Sequence, residues 1–270
     1  MAVTAKDVMS LRQRTGLGMM ECKEALNEAS GDMDAAIDLL RKKLKGKMEE
    51  RSDRAAAEGV VQIAREGNAV AIIELNTETD FVARGEAFNE AAQKIAQLVL
   101  ASPKQGEVPA DDAINQIIEE IRITSKENAS YKRGTKLVAG EGEVIGDYLH
   151  HNGQVGVLVK VAGEADDDLL TGLSQHVAGH VPTPLAVDES GLAADAVEKQ
   201  KAAAIQEAEA SGKNAEIAEK IASGKLRKWI DDNTLVGQSY VRDMTGKTAV
   251  RDALPKGSSI KTFVRYQVGV

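Results

Sequence analysis

Two stretches of this chain, 86 residues apart, share a closely similar order of glycine, apolar and polar residues. GNAVAIIEL begins at Gly67, and GQVGVLVKV begins at Gly153. Each is the second of two apolar, β-branched runs around a turn, which is typical of a β-hairpin. Each hairpin is followed by a helical pattern, EAFNEAAQKIAQLVLAS in the first case and DLLTGLSQHVAGHV in the second. The chain is therefore predicted to contain two related α+β halves.

Residues 4–44 have the pattern of three short helices. Thr4 and Asp7 predict a capping box at the start of the first helix, and the glycines of TGLG end it. Asp32 can cap the third helix, in which apolar residues recur at helical intervals. The following stretch, RKKLKGKMEERSDR at 41–54, contains seven basic and three acidic residues. It is either a solvated helix end with a linker or a basic contact strip.

Residues 188–230 differ in composition from the rest, being rich in Ala, Glu and Lys with few β-branched residues. They predict two helices around the sequence SGK, with Gly212 ending the first. Such a helical hairpin can protrude as a two-stranded coiled coil or lie flat on the body. The last segment, IKTFVRYQVGV, alternates in hydropathy and predicts a strand that returns to a sheet.

These patterns together predict an α+β protein with four parts. The parts are a three-helix domain with a basic linker at 1–53, a first core half at 54–140, a second core half at 141–187 and 231–270, and an inserted helical hairpin at 188–230.

Composition and charge exclude several classes of protein. The chain has 270 residues, a net charge of −8 and an isoelectric point near 5.2, which argues against broad binding to nucleic-acid phosphates. The single Cys22 cannot form an intrachain disulfide. No segment approaches the roughly 20 apolar residues of a membrane span, and no signal-peptide pattern opens the chain. We therefore expect a cytoplasmic protein that binds neither membrane nor nucleic acid directly.

Motifs that could carry catalytic chemistry lack the spacing that this chemistry needs. GEGEVIG at 140–146 precedes a strand, whereas a dinucleotide fingerprint must follow one, and TGKT at 245–248 lacks the earlier glycine of a phosphate loop. His176 and His180 have the i, i+4 spacing of metal ligands but no third ligand, so structural histidines are favoured. Cys22 lies on an amphipathic helix and is predicted to be a buried hydrophobe. We predict no enzyme, no metal and no cofactor.

Three apolar side chains occur at positions where burial is not obvious. Met19 and Met20 open a helix at a glycine-flanked turn, where a core needs at most one of them, and methionine is common at recognition surfaces. Phe81, one of only three phenylalanines, follows Asp80 in the polar junction NTETDFVARGEAF. The methionines could be core residues, and Phe81 could plug a helix onto the first hairpin. The pattern leaves these alternatives open beside recognition.

Several stretches resemble, in the same order, sequences of the elongation factor Ts family. They are LRQRTGLGMMECKEAL with GDMDAAIDLLR, NTETDFVARGEAF, YLHHNGQVGVLV, HVAGHVP, and EKIASGKLRKW with LVGQSYV, and they span nearly the whole chain. This family exchanges the guanine nucleotide of elongation factor Tu, the GTPase that delivers aminoacyl-tRNA to the ribosome. The resemblance implies a ubiquitin-associated-like N-terminal domain, a two-part α+β core with antiparallel sheets, and an inserted helical hairpin.

The resemblance also implies residues that contact elongation factor Tu. The aromatic ring of an Asp-Phe wedge would enter an apolar pocket beside the region that orders Mg²⁺, and the methionine pair would lie against a helix of the GTPase domain. A histidine of the second core half would face the last domain of the GTPase. The implied residues are Thr79, Asp80, Phe81 and Val82 for the wedge, Met19, Met20, Lys23 and Val241 for the GTPase domain, and His150 for the last domain.

One motif departs from the family pattern. The family often has G-E-N-I where this chain has KENA at 126–129, which puts the contact of that segment in doubt. The resemblance implies that the protein would bind elongation factor Tu with GDP, disrupt the binding of Mg²⁺ and GDP, and promote exchange to GTP. The helical hairpin is a candidate surface for homodimerisation. The alternatives are an adaptor that binds through its three-helix domain without exchange, and a metal hydrolase that uses His176 and His180.

Overall fold

The computed structural model describes residues 3–49, 54–210 and 215–270. It confirms the predicted α+β class, with three N-terminal helices followed by two sheets and further helices. The helices are α1 (Ala5–Thr15), α2 (Met19–Glu28), α3 (Met33–Glu49), α4 (Asp80–Ala83), α5 (Glu86–Ala101), α6 (Asp112–Ser125), α7 (Asp167–Gly179), α8 (Ala194–Ala210), α9 (Ala215–Asn233) and α10 (Val250–Ala253). The strands are β1 (Glu58–Glu66), β2 (Ala69–Thr77), β3 (Gly106–Glu107), β4 (Ala129–Val138), β5 (Glu143–Leu149), β6 (Val155–Ala162) and β7 (Ser259–Gln267).

The chain divides into two compact units. The first contains Met1–Ala64, Ile73–Thr135 and Gln267–Val270, and the second contains Arg65–Ile72 and Lys136–Tyr266. The four-part division expected from the sequence stays a prediction.

Helices α1 and α3 form where the capping residues predicted them, and α2 begins directly after the TGLG break. The Thr4 hydroxyl accepts the Asp7 N–H at 3.3 Å, and the Asp7 carboxylate accepts the Thr4 N–H at 3.0 Å. Asp32 Oδ1 accepts the N–H groups of Asp34 and Ala35, both at 3.0 Å, at the start of α3. The apolar faces of these helices, with one residue of α6, form a buried cluster of Val8, Leu11, Leu17, Cys22, Ala25, Leu26, Ala36, Leu40, Leu44 and Ile123. Cys22 is therefore the buried hydrophobe that the sequence predicted.

The basic stretch at 41–54 is described only in part. Its first residues continue α3, while residues 50–53 lie outside the described residues.

A four-stranded sheet has the order β1-β2-β4-β3. The sequence patterns did not predict strand β4, because its residues are mostly polar. One reason for this polarity is a buried carboxylate, Glu74 of β2, which accepts the Arg133 Nε–H of β4 at 2.8 Å. A buried charge is tolerated only when it is paired and hydrogen-bonded, so a polar strand can occupy this interior position.

A three-stranded sheet has the order β5-β6-β7. The pairing of β5 with β6 is antiparallel, with Gly146 opposite Val159, and β7 is the predicted returning strand. Helix α7 packs on this hairpin at Gly146, where an added Cβ would stand 2.9 Å from the Leu170 carbonyl oxygen. The corresponding positions of the two predicted hairpins are buried alike, since Leu75 and Val161 are both 0% exposed.

The predicted helical hairpin consists of α8 and α9, which pack through four small residues, Ala204, Ala208, Ala218 and Ala222. Lys225 of α9 pairs with Glu207 of α8. The turn expected at SGK, including Gly212, lies outside the described residues. Within the part of the chain that the structure describes, no helix has the length and apolar character to cross a bilayer.

Candidate protein-docking site

Phe81 lies on α4, a single helical turn between β2 and α5. Its side chain is 85% exposed, so the interpretation of this residue as a plug between helix and hairpin is wrong. Asp80 beside it forms an exposed ion pair with Arg84 at 3.2 Å, on the same short helix. A fully apolar ring thus projects from a polar surface.

The N-terminus of α4 is held by a carboxylate from a distant part of the chain. Glu127 accepts the Thr77 hydroxyl at 3.1 Å, the Thr79 N–H at 3.0 Å and the Thr79 hydroxyl at 2.7 Å. The Thr79 hydroxyl in turn accepts the Val82 N–H at 3.3 Å and caps the helix. Thr79, two residues before Phe81, is therefore bound to Glu127, and Val82, the residue after Phe81, is bound to Thr79.

Met19 and Met20 form the first turn of α2, and they are 51% and 65% exposed. The alternative that both are core residues is therefore wrong. Glu21 accepts the Gly18 N–H at 3.1 Å, which fixes the start of the helix, and it pairs with Lys126 Nζ at 3.0 Å. Lys23 is exposed on the same helix.

The second unit contains the two remaining predicted residues. His150 follows β5 and is partly buried, with its Nδ1 2.8 Å from Asn152 Oδ1. Val241 is 48% exposed, and its N–H donates to His176 Nδ1 at 3.1 Å. Since His176 Nδ1 is an acceptor, Nε2 carries the proton and donates to Gln238 Oε1 at 3.0 Å. A buried histidine thus holds the backbone of the segment that presents Val241.

His176 also explains the histidine pair of the sequence. Its side chain is fully buried, and burial lowers its pKa from 6.5 to about 4, which keeps the ring neutral. Both ring nitrogens take part in hydrogen bonds, and the His180 ring stacks beside it with centroids 4.6 Å apart. Among the described residues there is no group of three or more His, Cys, Asp or Glu side chains that could hold a metal ion.

The glycine-containing stretch at 245–248 forms a turn closed by an internal carboxylate. Asp243 accepts the N–H groups of Thr245, Lys247 and Thr248 at 2.9, 3.0 and 2.7 Å. The hydrogen bonds from Thr245 and Thr248 hold the pKa of Asp243 well below its usual range. The amides that a phosphate would need are therefore already satisfied by Asp243.

Two features of the site were not predicted from the sequence. The sequence indicated Glu127 only as part of the segment KENA, and it gave no role to Gln238. Glu127 and Thr79 are 48 residues apart, and His176 and Gln238 are 62 residues apart. No local sequence pattern connects them, and only the fold brings them together.

The fold and the site define a class: an α+β factor that presents exposed apolar side chains from short, firmly capped helix starts, as protein-binding surfaces do. A family model described as Elongation factor TS matches residues 78–270. Elongation factor Ts of Methylococcus capsulatus is 39% identical over 278 residues, which cover 100% of this chain and 93% of that protein. Elongation factor Ts of Idiomarina loihiensis is 41% identical over 277 residues, covering 100% of this chain and 92% of the relative.

Elongation factor Ts of Zymomonas mobilis is 39% identical over 287 residues, covering 99% of this chain and 92% of that protein. The chain belongs to the elongation factor Ts family, a family of translation elongation factors. The resemblance found in the sequence is thereby confirmed.

Proposed function

We propose that this chain is a guanine-nucleotide exchange factor for elongation factor Tu. It binds the GTPase in its GDP form, disrupts the binding of Mg²⁺ and GDP, and promotes GDP release so that GTP can bind during translation elongation. The observation that carries the proposal is the exposure of Phe81, at 85%, on a helix whose N-terminus is capped and anchored. Membership of the elongation factor Ts family supports the identity of the partner.

Exchange by this route rests on differential binding. A GTPase holds GDP through Mg²⁺ and through backbone amides around the phosphates. A ring that fits only the conformation in which Mg²⁺ is not ordered shifts the GTPase towards that conformation. GDP then dissociates faster because its own contacts are weaker there. The exchange factor makes and breaks no covalent bond in this scheme, so we propose a binding protein rather than an enzyme.

The docking residues divide between the two units of the chain. In the first unit, Asp80 and Phe81 form the wedge, with Thr79 and Val82 as the turn that carries it. Met19, Met20 and Lys23 lie against a helix of the GTPase domain. In the second unit, Val241 adds to the contact with the GTPase domain, and His150 faces the last domain of the GTPase.

The helical hairpin remains a candidate surface for a second copy of this chain. Ile205 of α8 is 41% exposed and Ile217 of α9 is 43% exposed. A groove of about 650 Å³ between the two helices is lined in part by Ile205, Ala222 and Leu226. We propose the cytoplasm as the compartment in which the chain meets elongation factor Tu.

The test is the release of labelled GDP from elongation factor Tu of the same organism, measured with and without this chain. Release should accelerate in proportion to the concentration of the chain until the GTPase is saturated. An adaptor without exchange activity would bind the GTPase or another protein and leave the release rate unchanged. That outcome would refute the proposed function.

A further inference from the structure

Helix α4 is too short to define its own orientation. It consists of the four residues Asp80–Ala83, and isolated helices of fewer than about 12–15 residues are marginal in water. The direction in which Phe81 projects must therefore be set by contacts outside the helix. The Phe81 side chain supplies few such contacts, since it is 85% exposed.

Glu127 makes several such outside contacts. Its two carboxylate oxygens accept three hydrogen bonds, from the Thr77 hydroxyl and from the N–H and hydroxyl of Thr79, at 2.7–3.1 Å. Hydrogen bonds to an ionised acceptor are roughly twice as strong as those between neutral groups. Thr77 is itself buried in β2, so Glu127 links the end of the sheet to the start of the helix.

The backbone around Glu127 is itself fixed by hydrogen bonds. Helix α6 ends at Ser125, and its C-cap residue Lys126 is in a left-handed conformation with φ of +62°. The Glu127 N–H donates to Ser125 Oγ at 3.2 Å. The next residue, Asn128, donates its N–H to Glu78 Oε1 at 2.7 Å and its side-chain amide to the Arg54 carbonyl at 2.8 Å. The backbone that carries Glu127 is thus held by hydrogen bonds at Glu127 and at Asn128.

We propose that Glu127 is a positioning residue that holds α4 in the orientation from which the Phe81 ring enters the partner GTPase. The expected effect of Glu127 on exchange rests on the proposed function. Its structural half, that Glu127 holds α4 in place, can be tested without the GTPase. Glu127 acts on its own chain, through Thr77 and Thr79, and need not touch elongation factor Tu. KENA keeps the Glu and the Asn of the family motif G-E-N-I, so the retained part of this segment has a role that its sequence did not reveal.

The structural half is tested by ¹⁵N relaxation of the free protein. Glu127→Ala should lower the backbone order parameters of Asp80, Phe81 and Val82 from about 0.85, typical of rigid backbone, to below about 0.6. Glu127→Gln keeps one acceptor oxygen and should give a smaller decrease, and it carries the test if the alanine variant does not fold. Glu107→Ala, which removes an exposed carboxylate on the edge strand β3, is the matched control and should change none of the three values. Unchanged values in both Glu127 variants would overturn the proposal.

The functional half is tested by a double-mutant cycle on catalysed GDP release. Glu127→Ala should slow release at least fivefold when Phe81 is present, and less than twofold in a Phe81→Ala background, because Glu127 acts through the ring. Equal slowing in both backgrounds would mean that Glu127 acts elsewhere, and no slowing in either would also overturn its role in exchange. If Phe81→Ala itself leaves release unchanged, the proposed wedge fails, while the order parameters still decide whether Glu127 holds the helix.

Discussion

Truncation of Phe81 to alanine should separate exchange activity from folding stability. Full burial of a phenylalanine side chain contributes about 1.5–3 kcal/mol relative to exposure. In the free protein 85% of this residue is exposed, so about 1.3–2.6 kcal/mol of that contribution is available only in a complex. If the ring is fully buried in the GTPase, its loss should slow catalysed GDP release roughly ten- to seventyfold. The free energy of unfolding should change by no more than about 0.5 kcal/mol, as for other surface substitutions.

Two measurements on the same preparation decide the outcome. Release of labelled GDP from elongation factor Tu is followed at concentrations of the chain well below saturation, and urea denaturation gives the free energy of unfolding. Phe81→Leu is a useful intermediate, because it keeps much of the apolar surface and should retain more activity than alanine. A folded Phe81→Ala variant that releases GDP at the parental rate would refute the wedge. A variant that loses several kcal/mol of stability would show that the ring contributes to the core.

Three further changes test other parts of the account. Replacing Met19 and Met20 together by alanine should weaken binding to elongation factor Tu about tenfold or more, measured by calorimetry, without lowering the melting temperature. Normal binding together with a lower melting temperature would contradict this prediction. Gly146→Ala should cost about 1–3 kcal/mol in denaturant unfolding, because the new methyl group would stand 2.9 Å from the Leu170 carbonyl oxygen, and a loss below about 0.5 kcal/mol would show that α7 can move away. Burial lowers the pKa of His176 from 6.5 to about 4, so between these two pH values the unfolded chain binds a proton that the folded chain does not. The free energy of unfolding should therefore fall by about 3 kcal/mol as the pH is lowered from 6.5 to 4. A His176→Gln variant with the same pH slope would refute that assignment.

The elements that the sequence predicted well are those with strong local periodicity. Both hairpins contain apolar, β-branched runs around turns, and their shared positions are buried in the structure, as at Leu75 and Val161. The three N-terminal helices were predictable because their capping residues lie within three positions of the amides they bind, as with Thr4 and Asp7. Local rules suffice wherever the partners of an element are near in sequence.

Strand β4 was not predicted because its character depends on a distant partner. Arg133 of β4 pairs with the buried carboxylate of Glu74 on β2, which lies 59 residues earlier in the chain. A period-2 pattern of apolar residues is absent when one face of a strand carries such a pair. The strand could be recognised only once its neighbour in the sheet was known.

The candidate site shows the same limit. The residues that project outwards were found in the sequence, but whether Phe81 was a core plug or a surface ring could not be decided, because a polar junction is compatible with both. At this junction the end of β2 and the start of α4 are hydrogen-bonded to Glu127, which follows α6 and lies about 50 residues away in the chain. Residues that present an interface can have a sequence signature, whereas the residues that hold them in place often have none.

The most direct test of exchange by differential binding is a calorimetric titration of the chain into elongation factor Tu at several GDP concentrations. Coupling between two ligands is reciprocal, so whatever factor the chain removes from GDP affinity, GDP must remove from the affinity of the chain. We expect tight binding to the nucleotide-free GTPase, weaker binding as GDP is raised, and a further decrease with excess Mg²⁺. The chain alone should give no heat of binding with GDP. An affinity for the GTPase that is independent of the GDP concentration would contradict exchange by differential binding.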